Sequence, residues 1–235
     1  MSENTKTEAE YIAEAREALL DAALIHVTFD GWSDAALKAA IRETGTDPGL
    51  ARLAFPRGGI DMALAFHARG DRRLAQELAA TDLAAMGVTA KVTHAIRRRL
   101  EIVAADREAV RRGTALLALP HHAGEGARAL WQTADTIWNA IGDTSRDVNW
   151  YTKRMTLSGV YSATVLYWLG DEQPGFGPTW EFLDRRIADV MRIEKAKARF
   201  RESPFGKAFR DGPGRFLSRL SAPEPRDDLP GHTAR

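Results

Sequence analysis

Apolar positions recur along the chain with a period near 3.6 residues, and the alternation of two that marks a half-buried strand is nowhere sustained. An all-α fold follows. The first helix runs from about Thr7 to Val27, sets Ile12, Ala15, Leu19, Ala22 and Ala23 on one face, and stops near Asp30-Gly31. Ser33 is placed to cap a second helix, about Asp34 to Glu43, which ends at Gly45. Asp47-Pro48-Gly49 then opens a very short third one through Leu53 and Ala54. Two short helices about a glycine turn predict helix-turn-helix geometry. Beyond Pro56-Arg57-Gly58-Gly59 the pattern predicts a long helix over 60–86, with Leu64, Leu74, Leu78 and Ala85 inward and Gly87 at its end. Another is expected over 89–119, with Val92, Ile96, Leu100, Val103, Val110 and Leu117 at helical spacing and Pro120 as its stop. Gly124-Glu125-Gly126 leads into a helix over 127–141, a polar turn covers 143–147, and a further helix covers 148–169. After the loop Gln173–Pro178, a last strong helix over 179–201 is expected to be capped by Thr179, with Trp180, Phe182, Leu183, Ile187, Val190 and Met191 on its apolar side.

These elements divide the chain into a three-helix part over 1–59, a larger helical part over 60–203, and a basic-aromatic tail over 204–235 whose Pro-rich end has the composition of a disordered segment. With 33 basic and 32 acidic side chains the formal charge is +1, so an anionic partner would have to be met by a local patch. The chain has no cysteine, which removes disulfides, a thiol nucleophile and Cys-based metal sites. Its polar, acidic start, Met1 to Glu10, has neither a signal-peptide nor a transit-peptide pattern and predicts a cytoplasmic protein. The longest uncharged stretch, Met155 to Gly170, is 16 residues long and falls short of the ~20 needed to span a bilayer. It reads as a buried helix.

Catalytic spacings are missing: no Glu-x-x-His pair, His-Glu-x-x-His, Gly-x-Ser-x-Gly, Gly-x-Gly-x-x-Gly or phosphate-loop pattern occurs. The expectation is a protein with no enzymatic activity, cofactor or metal. His121-His122 with Glu125 is the one histidine cluster, and it reads as a solvated loop pair rather than a ligand set. Arg97-Arg98-Arg99 and Arg111-Arg112 read as a solvated face paired with Glu101, Asp106 and Glu108. Trp131, Trp138, Trp150, Trp168 and Trp180 fall within 50 residues. Periodicity alone favours ordinary core packing for them. A sharper reading is a pocket for a long apolar ligand, lined from the helix that carries Leu157, Tyr161, Val165, Leu166 and Trp168 among small residues.

The block Asp147-Val-Asn-Trp-Tyr-Thr-Lys-Arg154 is unusual, because adjacent Trp150 and Tyr151 at a helix start cannot both face one core, and one should be partly exposed. Together with Thr179-Trp-Glu-Phe-Leu-Asp-Arg185 and His26-Val-Thr-Phe-Asp-Gly-Trp-Ser33, it resembles the ubiquinone-biosynthesis accessory family with a TetR-like fold, in order and spacing over about residues 10–200. The resemblance implies a homodimer that binds an isoprenoid quinone or phospholipid among its C-terminal helices. It further implies presentation of ubiquinone intermediates to the di-iron demethoxyubiquinone hydroxylase. By position, Asn149, Trp150 and Tyr151, with Asp147 and Arg154 of the same block, fall on the family's partner-docking surface. The expected lipid-lining set is Leu117, Trp138, Leu157, Tyr161, Val165, Trp168, Phe182 and Ile187.

The resemblance also implies an amphipathic C-terminal helix that touches membrane. Residues 185–220 hold eleven Lys or Arg and four Asp or Glu, with Phe205, Lys207, Phe209, Arg210, Arg215, Phe216 and Arg219 as expected contacts to an anionic surface at the inner face of the cytoplasmic membrane. Gly212-Pro213-Gly214 would break any single helix there. A TetR-type ligand-responsive regulator is the alternative. Its recognition helix would be Thr46 to Ala54, which offers one arginine and an aspartate facing phosphates, so the ~6–10 phosphate contacts of a specific binder are out of reach and no nucleic-acid partner is expected.

Overall fold

Thr7 accepts the Glu10 N–H while the Glu10 carboxylate takes the Thr7 N–H, a capping box that starts α1 (Glu8–Asp30) in the computed structural model, which describes residues 7–202. Ser33 accepts from Ala36 N–H to start α2 (Asp34–Thr44), and Asp47 accepts from Gly49 and Leu50 to start α3 (Pro48–Ala54). α1 packs on both, burying Leu19, Leu20, Ala23 and Val27 with Ala36, Ala40, Ala51 and Ala54. Three helices thus stand where the pattern over residues 1–59 predicts them.

α4 (Gly59–Ala80) ends earlier than its pattern predicts, because the Thr81 hydroxyl donates to the Glu77 carbonyl and Thr81 itself is extended. Ala85, expected inward, is exposed, and Leu83 covers the core instead. The helix expected over 89–119 is two: α5 (Val88–Ile102) and α6 (Arg107–Leu117), joined through a 3-10 turn at Ala104–Asp106. No glycine or proline marks the break. It brings the Arg107 Nη2 to the carbonyls of Trp168 and Asp171, and Arg111 Nη2 to that of Leu169 at 2.7 Å, where α8 (Val148–Gly170) ends with carbonyls that have no partner inside the helix. α7 (Ala123–Ala140) begins before Gly124 and Gly126 rather than after them. A Cβ on Gly126 would lie 2.8 Å from the Leu117 carbonyl oxygen, so glycine here lets α7 touch the end of α6.

α9 (Gly177–Glu202) follows a 3-10 turn at Pro174–Phe176. Thr179 is not its cap but sits buried inside its first turn, where its N–H and hydroxyl both donate to Asp171 Oδ2 at 3.0 and 2.6 Å. Those bonds, the hydroxyl's first, hold the Asp171 carboxyl below the usual carboxylate range. Among the described residues there are nine α-helices and no strand, and no helix is long and apolar enough to cross a membrane. Leu74, Ile96, Leu100, Ile137, Trp168 and Leu183 form the centre of the larger part, each of the aliphatic ones contributing roughly 1.5–3 kcal/mol by burial. α8 is not buried all round as expected: Met155 and Leu166, eleven residues apart on one face, are 63% and 61% exposed.

Candidate functional site

Small residues on facing helices leave space that no side chain fills. Ala63 of α4, Ala109 and Gly113 of α6, and Gly126, Ala127 and Ala129 of α7 line a cavity of about 400 Å³, closed on its other side by α8. That volume lies within the ~300–1,000 Å³ of small-molecule sites. Phe66, Val103, Val110, Leu117, Leu130 and Val165 make the remaining walls apolar, and the exposed Ala118, just past α6, and Leu166 of α8 line its solvent-facing side.

At its inner end the cavity meets charge. Arg99 is 2% exposed and donates through Nε to Asp71 Oδ1 at 2.7 Å and through Nη2 to the His67 carbonyl at 2.9 Å. A Cβ on residue 70 would fall 2.5 Å from the guanidinium carbon, so Gly70 gives Arg99 its seat. Thr133 donates to both oxygens of Asp71 and holds His67 Nε2 at 2.8 Å. Burial pushes the His67 imidazole below its ordinary range, with Asp71 acting in the opposite sense. Burial also opposes the Arg99 charge, but the ionised Asp71 carboxylate hydrogen-bonded to Nε outweighs it. Burial pushes the Tyr161 phenol up, keeping it protonated.

Three of the eight expected lining residues, Leu117, Tyr161 and Val165, face this space. The other five do not. Trp168 is wholly buried against Phe176 and under the Arg107 guanidinium; Leu157 and Ile187 are packed core; Phe182 stacks on Tyr167 at 4.5 Å; and Trp138 lies beneath the Lys153 ammonium. Helical period marks a residue as inward without saying whether it meets core or cavity. Sequence reasoning missed His67, Arg99 and the small residues of α7. One signal was available for Arg99: successive helical residues turn by about 100°, so three adjacent arginines cannot all face solvent. Arg97 and Arg98 do pair outward with Glu101, and Arg98 also with Glu77, while Arg99 turns in.

The start of α8 is built differently. Asp147 caps it by accepting from Asn149 N–H at 3.0 Å and from Asn149 Nδ2 at 2.8 Å. Trp150 and Tyr151 are both half-buried, edge to face at 4.8 Å, and both meet Trp131 of α7, at 5.7 and 6.3 Å. Arg154 was expected on the docking surface but is 1% exposed. Its Nε pairs with Asp135, Nη1 with Asp143 and the Trp150 carbonyl, and Nη2 with Asn139, while its guanidinium lies 4.0 Å from the Trp150 ring centre. Arg154 is therefore a positioning residue beneath the aromatic trio. Burial works against the Asp143 charge, but Lys153 and Ser145 outweigh it and hold the carboxyl below its usual range.

His122 Nδ1 meets Glu125 at 2.8 Å and Glu125 also pairs with Arg57, so the histidine pair sits in a surface ion network at the start of α7. No group of three metal-ligating side chains occurs among the described residues. The expected membrane contacts, Phe205, Lys207, Phe209, Arg210, Arg215, Phe216 and Arg219, lie outside the described residues.

Comparison with known proteins adds sequence kinship to this geometry. The COQ9 family model matches residues 123–194, which span α7, α8 and the greater part of α9. The ubiquinone biosynthesis protein COQ9, mitochondrial, of Drosophila melanogaster is 33% identical over 183 residues, covering 76% of this chain and 56% of the relative. Its Homo sapiens counterpart is 30% identical over 182 residues, covering 74% and 57%. The chain thus spans somewhat over half the length of these relatives. A TetR transcriptional regulator from Nitrosomonas europaea superposes with a TM-score of 0.61 at 20% identity, over 74% of this chain and 97% of the regulator, which shows the fold.

Proposed function

The chain is a relative of the COQ9 proteins built on a TetR-like fold, and from that premise we propose that it is a non-catalytic lipid-binding accessory protein of ubiquinone synthesis. One observation carries the reading: the apolar cavity among α4, α6, α7 and α8, whose walls suit a long hydrocarbon chain far better than a polar metabolite. In this reading an isoprenoid quinone intermediate, or a phospholipid in its place, enters past Leu166 and is handed to the di-iron demethoxyubiquinone hydroxylase at the aromatic trio of Trp131, Trp150 and Tyr151. The protein works as a homodimer, peripheral at the inner face of the cytoplasmic membrane, with the basic-aromatic tail as its contact to anionic lipid. No bond is made or broken by its own side chains. They exclude water from the ligand, hold it, and present it.

The regulator reading has less support. α3 offers Arg52 as its one cationic side chain, and a TetR-like scaffold by itself specifies no DNA function. Organic extraction and mass spectrometry of the gently purified protein tests the proposal. A near-stoichiometric isoprenoid quinone, quinone precursor or phospholipid is expected, and a lipid-free protein would overturn it.

A further inference from the structure

The cavity is apolar except where three helices bring polar side chains to one end. His67 and Tyr161 stand there with Arg99, whereas Thr114 and Ser162 are half-buried, and the Ser162 hydroxyl is already spent on the Gly159 carbonyl. Of the inner groups, His67 has its Nε2 committed to Thr133. Arg99 uses Nε and Nη2, while its Nη1 has no hydrogen-bond partner among the described residues, and the same is true of the Tyr161 hydroxyl. Neither atom is sealed in the core, since the buried polar atoms without partners are those of Arg107, Trp138 and Trp168. Two donors therefore reach an otherwise oily space with nothing to donate to.

Burying donors in an apolar cavity is unfavourable unless a ligand acceptor meets them. The charge of that acceptor is constrained too. Arg99 is already neutralised by Asp71 at 2.7 Å, so a carboxylate or phosphate would add an uncompensated buried anion, while a neutral oxygen would not. We propose that Tyr161 and Arg99 form a head-group subsite that takes a carbonyl or hydroxyl oxygen on the ring of a neutral amphiphile, whose tail runs outward past Leu117 and Val165 to the solvent-facing side at Leu166. The inference rests on the lipid-binding reading and gives it a polarity: ring inward, chain outward.

The test uses the full chain and two detergent-solubilised probes of equal length, a benzoquinone bearing a ten-carbon chain and the matching alkylbenzene, followed by tryptophan fluorescence. The wild type should bind the quinone more tightly. Tyr161→Phe, which removes one hydroxyl and keeps the ring, should weaken the quinone by about three- to tenfold and leave the alkylbenzene unchanged. Equal loss on both probes would mean the side chain merely packs and would overturn the subsite, as would a variant indistinguishable from wild type on both. If neither probe binds the wild type, the lipid-binding reading fails and the subsite falls with it.

Discussion

Two buried guanidiniums organise two regions in opposite ways. Arg154, under the start of α8, has each of its three nitrogens engaged by Asp135, Asp143, Asn139 or the Trp150 carbonyl, so it can only hold its neighbours. Arg99, at the inner end of the cavity, is equally removed from water yet leaves Nη1 without a described partner. A saturated buried charge sets geometry for others, and an unsaturated one beside a void has capacity for a ligand. The aromatic surface and the cavity thus differ less in burial than in how completely their central cation is satisfied.

The largest expected effect comes from removing either cation. Arg99→Met should cost about 3–5 kcal/mol by leaving the buried Asp71 carboxylate without its arginine partner, and Arg154→Met should cost less, because Asp143 keeps Lys153 at 2.7 Å and Asp135 is partly exposed. Calorimetric unfolding measures this, and a variant as stable as wild type would break the comparison. Near-ultraviolet circular dichroism sharpens it: Arg154→Met should alter the tryptophan bands of the Trp131 and Trp150 pair, and Arg99→Met should not.

Next in size is the surface itself. If the trio docks the hydroxylase as proposed, Trp150→Ala with Tyr151→Ala should lower that affinity by roughly 2 kcal/mol per side chain without changing any lipid that co-purifies. Binding by calorimetry alongside lipid mass spectrometry separates the two. Retained partner affinity would remove the docking role from the trio.

The smallest effect concerns pH. Because the His67 imidazole is held below its ordinary value in the folded state, the unfolded chain takes up the proton first. Its contribution to stability is therefore complete above about pH 6.5 and is lost as pH falls toward the folded value. Denaturation at pH 7.5 and 5.5 should show a drop that His67→Gln reduces. An identical drop in the variant would place the acid sensitivity elsewhere.

Local chemistry was readable in the chain and tertiary chemistry was not. The caps at Ser33 and Asp47 depend on residues two or three positions away, and the second and third helices follow from them. The break at Val103 depends on where Arg107 must reach in α8, and the early start of α7 depends on how closely Leu117 approaches Gly126, so neither leaves a mark in the local pattern. The candidate site divides along the same line. Tyr161 and Val165 were legible because they share the inward face of one helix. Trp168 has the same spacing signal and ends in solid core, because Phe176 and Arg107 come from elsewhere to cover it. Arg154 was legible as part of a distinctive block, but its inward turn requires Asp135 and Asn139 of another helix.

α6 belongs to two parts of the molecule at once. It forms one wall of the cavity, yet the Trp32 indole N–H donates to its Ala109 carbonyl at 2.9 Å, and its Arg112 donates to the Thr28 carbonyl at 3.1 Å. Both anchors come from the end of α1 and the residues just after it. The helix is thus a beam bolted at one side to the N-terminal unit, and any tilt that widens the cavity strains both bolts. Whatever free energy a guest spends on moving that beam is exacted equally from the N-terminal helices, and stiffening those helices would return as weaker or tighter grip on the guest.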